Sequence, residues 1–208
     1  MKKDGTKQIL IYHTHTTEAF AGSSRTQDNS QNVVAVGEEI KKQLEAAGFG
    51  VVHDTTCHDY PSYNGSYDRS GETIQRNLEK YPDIQVTLDV HRDAMGTQDG
   101  MRIKPTALIN GKKAAQVMII SGCDDDGTLG FPNWEYNLRL GVRIQKSLSD
   151  LYPGLARPLS FCPKKYNEHM TKGSLLVEFG TEVNTLEEVK YSGQLFGKAL
   201  AETLEQLT

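Results

Sequence analysis

The segment QILIYHTHTTE, residues 8–18, joins a short apolar run to a polar stretch that is rich in possible metal ligands. Residues 8–12 predict a buried β-strand, because the run is short, β-branched and bounded by polar residues. Residues 13–30 predict a loop that leaves the carboxyl end of this strand. In α/β proteins ligands bind at that end of the sheet, so the loop is a candidate position for chemistry.

The rest of the chain alternates between strand-like and helix-like patterns. Short apolar runs predict further strands at residues 51–53, 84–90, 159–162 and 174–179. Apolar residues at helical spacing predict helices within residues 32–48, 70–80, 136–151 and 185–207. Asn110 and Gly111 predict the tight turn of an inserted β-hairpin within residues 101–121.

This alternation predicts a single α/β domain, in which a mostly parallel twisted sheet is flanked by helices on both faces. We expect the catalytic domain to span residues 1–208, with residues 1–7 as linker residues before the first strand. A chain of 208 residues is long enough to bury a substantial core as one domain.

Composition excludes several classes of function. There are 23 Lys and Arg residues against 27 Asp and Glu residues and no basic tract, which argues against a nucleic-acid partner. The three cysteines are far apart and lack the C-x-x-C spacing of a thiolate zinc site. No apolar run approaches the roughly 20 residues that span a bilayer, so we expect no membrane contact by these residues.

Polar groups follow three predicted strands that are far apart in the sequence, at residues 13–18, 89–93 and 178–184. Parallel strands would bring the three groups to one edge of the sheet. His15, Glu18 and His91 then form the His2Glu set of a catalytic zinc site. His13 stays open as an alternative to His15, because the two side chains share a face if the strand continues.

Glu178 interrupts the apolar run of residues 175–179. An unpaired buried carboxylate costs on the order of several kcal/mol, which a nearby metal or water would explain. We expect zinc to activate a water molecule, and Glu178 to take its proton and pass it to the leaving amine.

Two arginines and an aspartate accompany these residues. Arg92 and Arg69 are candidates to hold a substrate carboxylate or a developing oxyanion, with a surface salt bridge as the alternative for each. Asp89 would share a strand face with His91, and either orients that histidine or caps the strand end.

The residues of four segments resemble the stage II sporulation protein P family, and the likeness extends over nearly the whole chain: residues 11–18, 89–94, 166–169 and 176–185. That family is similar to the zinc-dependent N-acetylmuramoyl-L-alanine amidases, which have a twisted sheet flanked by helices. The resemblance implies His15 and His91 as zinc ligands and Glu178 as the catalytic glutamate. His169 and Asn184, which lie in these segments, are further candidates for substrate binding.

The wider amidase family takes its glutamate ligand from the start of the first helix. This chain has Asp28, Asn29 and Asn32 there, so Glu18 is expected to take that place, as in H-x-x-E metallocarboxypeptidases. The resemblance also implies a membrane-anchored, extracytoplasmic ectodomain between the mother cell and forespore membranes. Its expected partners are peptidoglycan and other sporulation engulfment proteins.

The expected function is zinc-dependent hydrolysis of the amide bond between N-acetylmuramic acid and L-alanine in peptidoglycan, during sporulation. Two alternatives remain open at the level of sequence. One is a metallopeptidase that uses the same four residues on a peptide bond. The other is a wall-binding module that keeps the fold without turnover.

Overall fold

The computed structural model of the protein describes residues 1–207. Its strands are β1 (Lys7–Tyr12), β2 (Gly50–His53), β3 (Val86–Asp93), β4 (Thr106–Ile109), β5 (Lys112–Ala115), β6 (Val117–Gly122), β7 (Ser160–Cys162) and β8 (Ser174–Thr181). Its α-helices are α1 (Val33–Ala46), α2 (Ser66–Lys80), α3 (Trp134–Leu151) and α4 (Leu186–Glu205), and a 3₁₀ turn covers Glu168–Met170.

Six strands form one sheet in the order β2-β1-β3-β8-β6-β7. The pairs β1–β2, β1–β3, β3–β8 and β6–β7 are parallel, and β6 runs antiparallel to β8. The predicted mixed α/β domain with a mostly parallel sheet is therefore confirmed. β4 and β5 form the predicted hairpin around Asn110 and Gly111, both of which have positive φ.

Helices cover both faces of the sheet, as predicted. The larger apolar cluster joins the sheet to α1, α3 and α4 through side chains such as Val36, Ile144 and Phe196. The smaller cluster packs Leu10 and Ile74 together on the face that α2 covers. β1 is buried along almost its whole length because it lies between two neighbouring strands and beneath helices on both sides.

Helix α4 begins at the predicted capping box, in which Thr185 and Glu188 bond each other's backbone. It then packs closely against α1 at Gly193 and Gly197. A Cβ atom built on Gly197 would lie 3.0 Å from the carbonyl oxygen of Ile40. The two helices therefore approach each other at a distance that only glycine permits there.

Three boundaries differ from the sequence predictions. β6 is a strand of the main sheet, whereas the pattern assigned its residues to the hairpin, because its partner β8 is distant in sequence. β3 continues to Asp93 since its ladder with β8 extends that far. α2 begins at Ser66, before its first apolar residues, after Gly65 adopts a left-handed conformation.

Lys7 is already part of β1. The thiols of Cys57, Cys123 and Cys162 are free. Among the helices of residues 1–207, none combines the length and apolarity that a bilayer span requires.

Candidate metal centre and active site

The carboxyl ends of β1, β3 and β8 lie side by side near the middle of the sheet. β1 ends at Tyr12, and the chain then turns so that the Glu18 amide donates to the His15 carbonyl at 3.0 Å. In the parallel ladder of β3 and β8, His91 is paired directly with Glu178. The three predicted polar groups thus lie at the same edge of the sheet, as expected for the carboxyl ends of parallel strands, although they span more than 160 residues of sequence.

Two of the predicted ligands, Glu18 and His91, are in direct contact. Glu18 Oε2 lies 3.4 Å from His91 Nδ1, and both side chains are buried. Two ligands that are each about 2.1 Å from a tetrahedral zinc ion are separated by roughly 3.4 Å. The Glu18–His91 distance therefore matches one edge of a zinc coordination tetrahedron. The Arg92 amide also donates to Glu18 Oε2 at 3.1 Å and fixes that carboxylate.

The other ring nitrogen of His91 faces Asp89. Nε2 lies 2.8 Å from Asp89 Oδ1, in a contact that lacks the angle of a good hydrogen bond. Burial alone would lower the pKa of His91, but the Asp89 and Glu18 carboxylates outweigh burial and raise that pKa well above its usual value. A carboxylate behind a histidine in this way orients the ring and makes it a stronger metal ligand.

Asp89 is itself held by Thr14. The Thr14 amide donates to Oδ1 at 2.8 Å and its hydroxyl donates to Oδ2 at 2.6 Å. The Thr14 hydroxyl also lies 2.7 Å from that of Ser70 on α2. Burial would raise the pKa of Asp89, but His91 and Thr14 together lower it, so the carboxylate is charged. Asp89 therefore links the loop after β1 to His91.

His15 is buried and lies next to His91, with ring centroids 5.3 Å apart and nearly perpendicular planes. Its Nε2 lies 3.0 Å from the Tyr63 hydroxyl. Its Nδ1 is buried and has no hydrogen-bond partner among residues 1–207. Burial, and then the proximity of His91, lower the pKa of His15, which keeps the imidazole neutral and available as a ligand.

Glu178 projects into the same space. The residue is partly exposed, but its Oε2 is buried and lacks a hydrogen-bond partner within the described part of the chain. Burial raises the pKa of this carboxyl to about 8, despite the opposing effect of His91. A carboxyl group that titrates near neutral pH suits the transfer of a proton in both directions.

Within residues 1–207, no group of three or more His, Cys, Asp or Glu side chains is placed so that it could hold a metal ion without some rearrangement. Two buried atoms without partners in that range, His15 Nδ1 and Glu178 Oε2, nevertheless belong to residues that adjoin His91: the two histidine ring centroids are 5.3 Å apart, and Glu178 is paired with His91 in the β3–β8 ladder. Two imidazoles and a carboxylate are zinc donors, so the donor chemistry of His15, His91 and Glu18 fits this ion.

His13 occupies a different environment from His15. Its Nδ1 lies 2.9 Å from the Val90 carbonyl and its Nε2 lies 2.9 Å from His53 Nε2. Burial lowers the pKa of His13 to about 3, so the ring is neutral. Both nitrogens are thus engaged inside the fold, and this geometry favours His15 over His13 as the ligand.

The two arginines hold loops. Arg92 donates through its side chain to the carbonyls of Ala19 and Ser24. Arg69 donates to the carbonyls of His58 and Ser62. These contacts fix the loops that surround His15, and they account for both guanidinium groups without a substrate.

His169 and Asn184 differ in their access to the site. Asn184 is fully buried; its Oδ1 accepts from the Thr181 amide at 2.9 Å and its Nδ2 donates to Glu188 Oε2 at 3.1 Å. We therefore assign Asn184 to the junction of β8 and α4 rather than to a substrate-binding surface. His169 is partly exposed, and its Nδ1 is buried without a partner in residues 1–207. It remains a candidate for substrate binding.

The start of α1 contacts the backbone of Glu18, since the Val33 amide donates to the Glu18 carbonyl at 2.9 Å, but it places no carboxylate there. Asn32 caps the helix by accepting from the Val34 amide at 2.9 Å, and Asp28 and Asn29 are exposed. Glu18, in contrast, is beside His91. The expected replacement of a helix-borne glutamate by Glu18 agrees with this arrangement.

Sequence reasoning missed Tyr63, Thr14 and Ser70. Tyr63 lies in a loop rich in Tyr and Gly residues, with no periodic pattern to mark it. Thr14 lies within the HTHTTE segment, where attention falls on the histidines. Their roles depend on contacts across more than 45 residues of sequence, which no local pattern records.

Comparison with solved structures defines the class of fold. The chain is similar to N-acetylmuramoyl-L-alanine amidase AmiC2 of Nostoc punctiforme, with a TM-score of 0.60, 11% identity and 98% of each chain covered. It is also similar to the catalytic domain of the amidase CwlV from Bacillus (Paenibacillus) polymyxa var. colistinus, with a TM-score of 0.60, 11% identity and 97% of each chain covered. The CwlD amidase of Clostridioides difficile, solved in complex with the GerS lipoprotein, gives a TM-score of 0.59 at 11% identity over 96% of this chain and 98% of its own. The protein thus has the fold of the N-acetylmuramoyl-L-alanine amidases.

Sequence comparison places the chain more narrowly. The profile described as "Stage II sporulation protein P (SpoIIP)" matches residues 1–201, and the chain belongs to this family. Stage II sporulation protein P of Bacillus subtilis (strain 168) is 29% identical over 204 residues. The match covers 88% of this chain and 48% of that relative, so the chain spans about half the length of the relative.

Proposed function

We propose that this domain is a zinc-dependent hydrolase that cleaves the amide bond between N-acetylmuramic acid and L-alanine in peptidoglycan, during sporulation. The observation that carries the proposal is the buried cluster at the ends of β1, β3 and β8. There Glu18 Oε2 lies 3.4 Å from His91 Nδ1, and Glu178 is paired with His91 across the two strands. Membership of the SpoIIP family and the amidase fold support the choice of substrate.

His15, Glu18 and His91 would hold the zinc ion. When bound, zinc supplies a Lewis acid that polarises a carbonyl and lowers the pKa of a coordinated water. Asp89 keeps the His91 ring in place. Arg92 holds the Glu18 carboxylate through its backbone amide. Asp89 and Arg92 would therefore orient the donor atoms of the buried residues His91 and Glu18.

Glu178 would move the proton. Its unprotonated form accepts a proton from the attacking water, and its protonated form then donates this proton to the nitrogen of the departing L-alanine. Protonation of that nitrogen is needed because an amide anion is a poor leaving group. Oε2 is buried, which would limit exchange of this proton with bulk water.

The substrate determines where the protein would act. Peptidoglycan lies outside the cytoplasmic membrane, so an extracytoplasmic location follows from the proposed reaction. Other sporulation engulfment proteins are proposed as partners on the basis of family membership.

The test is digestion of purified sacculi followed by mass spectrometry of the soluble products. Wild-type protein should release stem peptides with a free L-alanine amino group and leave a free lactyl carboxylate on the glycan. Glu178→Gln should lower the rate by about 100-fold or more, which is the usual contribution of a general acid–base group. Glu187→Gln is the matched control, since Glu187 is a 79% exposed glutamate on α4.

Removal of zinc by a chelator should abolish release, and added zinc should restore it. Full activity of the Glu178→Gln protein would contradict the assigned role. Products cleaved only within the stem peptide would identify a metallopeptidase instead. Binding to sacculi without any released product would identify a wall-binding module.

A further inference from the structure

Tyr63 lies directly on the candidate metal ligand His15. The two rings are stacked with centroids 4.4 Å apart and an interplanar angle of 15°. The hydroxyl of Tyr63 lies 3.0 Å from His15 Nε2. Tyr63 therefore contacts His15 both through its ring and through its only polar side-chain atom.

A second group also lies against the Tyr63 ring. The Arg25 guanidinium carbon lies 4.7 Å from the centre of the Tyr63 ring, which is the distance of a cation–π contact. Although Tyr63 is 52% exposed, its ring contacts both His15 and Arg25. These two contacts hold the ring in place against His15.

Arg25 is fixed in turn by a buried carboxylate. Its Nη1 lies 2.6 Å from Asp59 Oδ2, and the side chain of Asp59 is fully buried. Asp59 also accepts from the Thr17 amide at 3.1 Å and from the Thr17 hydroxyl at 2.7 Å. This chain of contacts ties the loop that carries Tyr63 to the loop that carries His15.

The positions of the two His15 nitrogens indicate what the contact with Tyr63 does. Nε2 faces the Tyr63 oxygen, whereas Nδ1 is buried without a partner in residues 1–207. His91 also turns Nε2 toward an oxygen, 2.8 Å from Asp89 Oδ1, although that contact lacks hydrogen-bond geometry, and its Nδ1 lies 3.4 Å from Glu18 Oε2. Histidines that bind metal through one nitrogen usually donate the other N–H to an acceptor, which fixes the tautomer and the ring angle.

We infer that Tyr63 is a positioning residue for the metal centre: its oxygen accepts the Nε2–H of His15 and so leaves Nδ1 of His15 as the zinc-binding atom. The inference rests on the proposed zinc centre. It adds that His15 would bind the zinc ion through Nδ1 and that Tyr63 would select this atom. A proton on Nδ1 would instead be a buried N–H without an acceptor in the described chain, which costs about 1–3 kcal/mol.

The test compares zinc affinities of metal-stripped proteins, measured by competition with a chromophoric chelator. Tyr63→Phe keeps the stacked ring and removes the oxygen, so it should weaken zinc binding by about 10–100-fold. The control is Tyr60→Phe, because Tyr60 is a 56% exposed tyrosine in the same loop, and this change should leave affinity as in the wild type. Affinity of Tyr63→Phe that is unchanged or tighter would overturn the inference; tighter binding would mean that Nε2 is the zinc-binding atom.

A second measurement uses the wild-type protein and does not depend on any variant folding. ¹⁵N NMR of the metal-free protein near neutral pH should show His15 protonated at Nε2 and unprotonated at Nδ1, and zinc should shift the Nδ1 resonance. The opposite tautomer would overturn the inference. Failure of this inference can be distinguished from failure of the proposed zinc centre. If His15→Ala binds zinc as well as the wild type, both the zinc centre and the role of Tyr63 are refuted. If Tyr63→Phe and the wild type bind zinc equally well, only the role of Tyr63 is refuted.

Discussion

Glu168 offers a sharp test of the energetics of this fold. The residue lies in the 3₁₀ turn before β8 and is 1% exposed. Its Oε2 accepts from the Gly122 amide at 2.8 Å, and its Oε1 has no hydrogen-bond partner in the described chain. Burial raises the pKa of this carboxyl from 4.5 to about 8, although the bonds from the Gly122 and Leu176 amides oppose the change.

The sign of the effect follows from proton binding. At pH 7 the folded protein holds a proton that the unfolded chain, with a pKa of 4.5, releases. Each pH unit above the unfolded pKa lowers the free energy of unfolding by about 1.4 kcal/mol. At pH 7 the burial of Glu168 therefore lowers that free energy by roughly 3 kcal/mol at most. The cost is absent below pH 4.5, grows as the pH rises from 4.5 toward 8, and is then constant.

Glu168→Gln keeps an oxygen for the Gly122 amide and removes the titration. Because the new amide also leaves a polar group without a partner, we expect a gain of about 1–3 kcal/mol at pH 7. For a chain of this length each kcal/mol raises Tm by about 2–4 °C. At pH 4.5 the gain should fall below about 0.5 kcal/mol, since the carboxyl in the unfolded chain is then half protonated.

The assay is urea unfolding of the metal-free protein at pH 7 and at pH 4.5. Glu187→Gln on the surface of α4 is the control for a general effect of one lost charge. A gain of the same size at both pH values would refute the reasoning, because it would show that titration of Glu168 is not its source. A loss of stability at pH 7 would show that the carboxyl is charged and paired in the folded protein.

Two further predictions concern the packing around the sheet. Gly197→Ala should lower the free energy of unfolding, measured in urea, by about 1 kcal/mol. A Cβ 3.0 Å from the Ile40 carbonyl forces α4 away from α1, and this effect outweighs the better helix propensity of alanine. An increase in the free energy of unfolding would show that the helices can separate at little cost. Burial lowers the pKa of His53 to about 4, and Lys41 adds to this effect, so the folded state resists protonation of this ring. Stability from this residue is complete above pH 6.5 and is lost as the pH falls toward 4, by about 2 kcal/mol between pH 7 and pH 5. His53→Asn should make the pH profile of stability flatter over this range, and an unchanged profile would contradict the assignment.

Much of the fold could be predicted because local patterns and global topology agree. Residues 8–12 are apolar and β-branched, and they form a buried central strand. The capping box at Thr185 marks the start of α4 in both sequence and structure. β6 was missed as a strand of the main sheet, since its position depends on pairing with β8, which no local pattern encodes.

The candidate site could also be predicted only in part. His15, Glu18, His91 and Glu178 are polar residues at or near strand ends, and the rule for parallel sheets was enough to group them. The choice of His15 over His13 needed coordinates, because only the turn after Tyr12 decides which ring faces His91. The contact with Tyr63 depends on the path of a loop and could not be predicted.

The location of Glu178 on β8 has a consequence for truncated forms of this domain. His15, Glu18 and His91 all precede α3, whereas β8 follows it and is the last of the described strands in chain order. β3 has no neighbour on its β8 side until that strand is made. A chain that ends before β8 would therefore carry the proposed metal ligands without the proposed proton carrier, and we expect it to lack the proposed hydrolase activity.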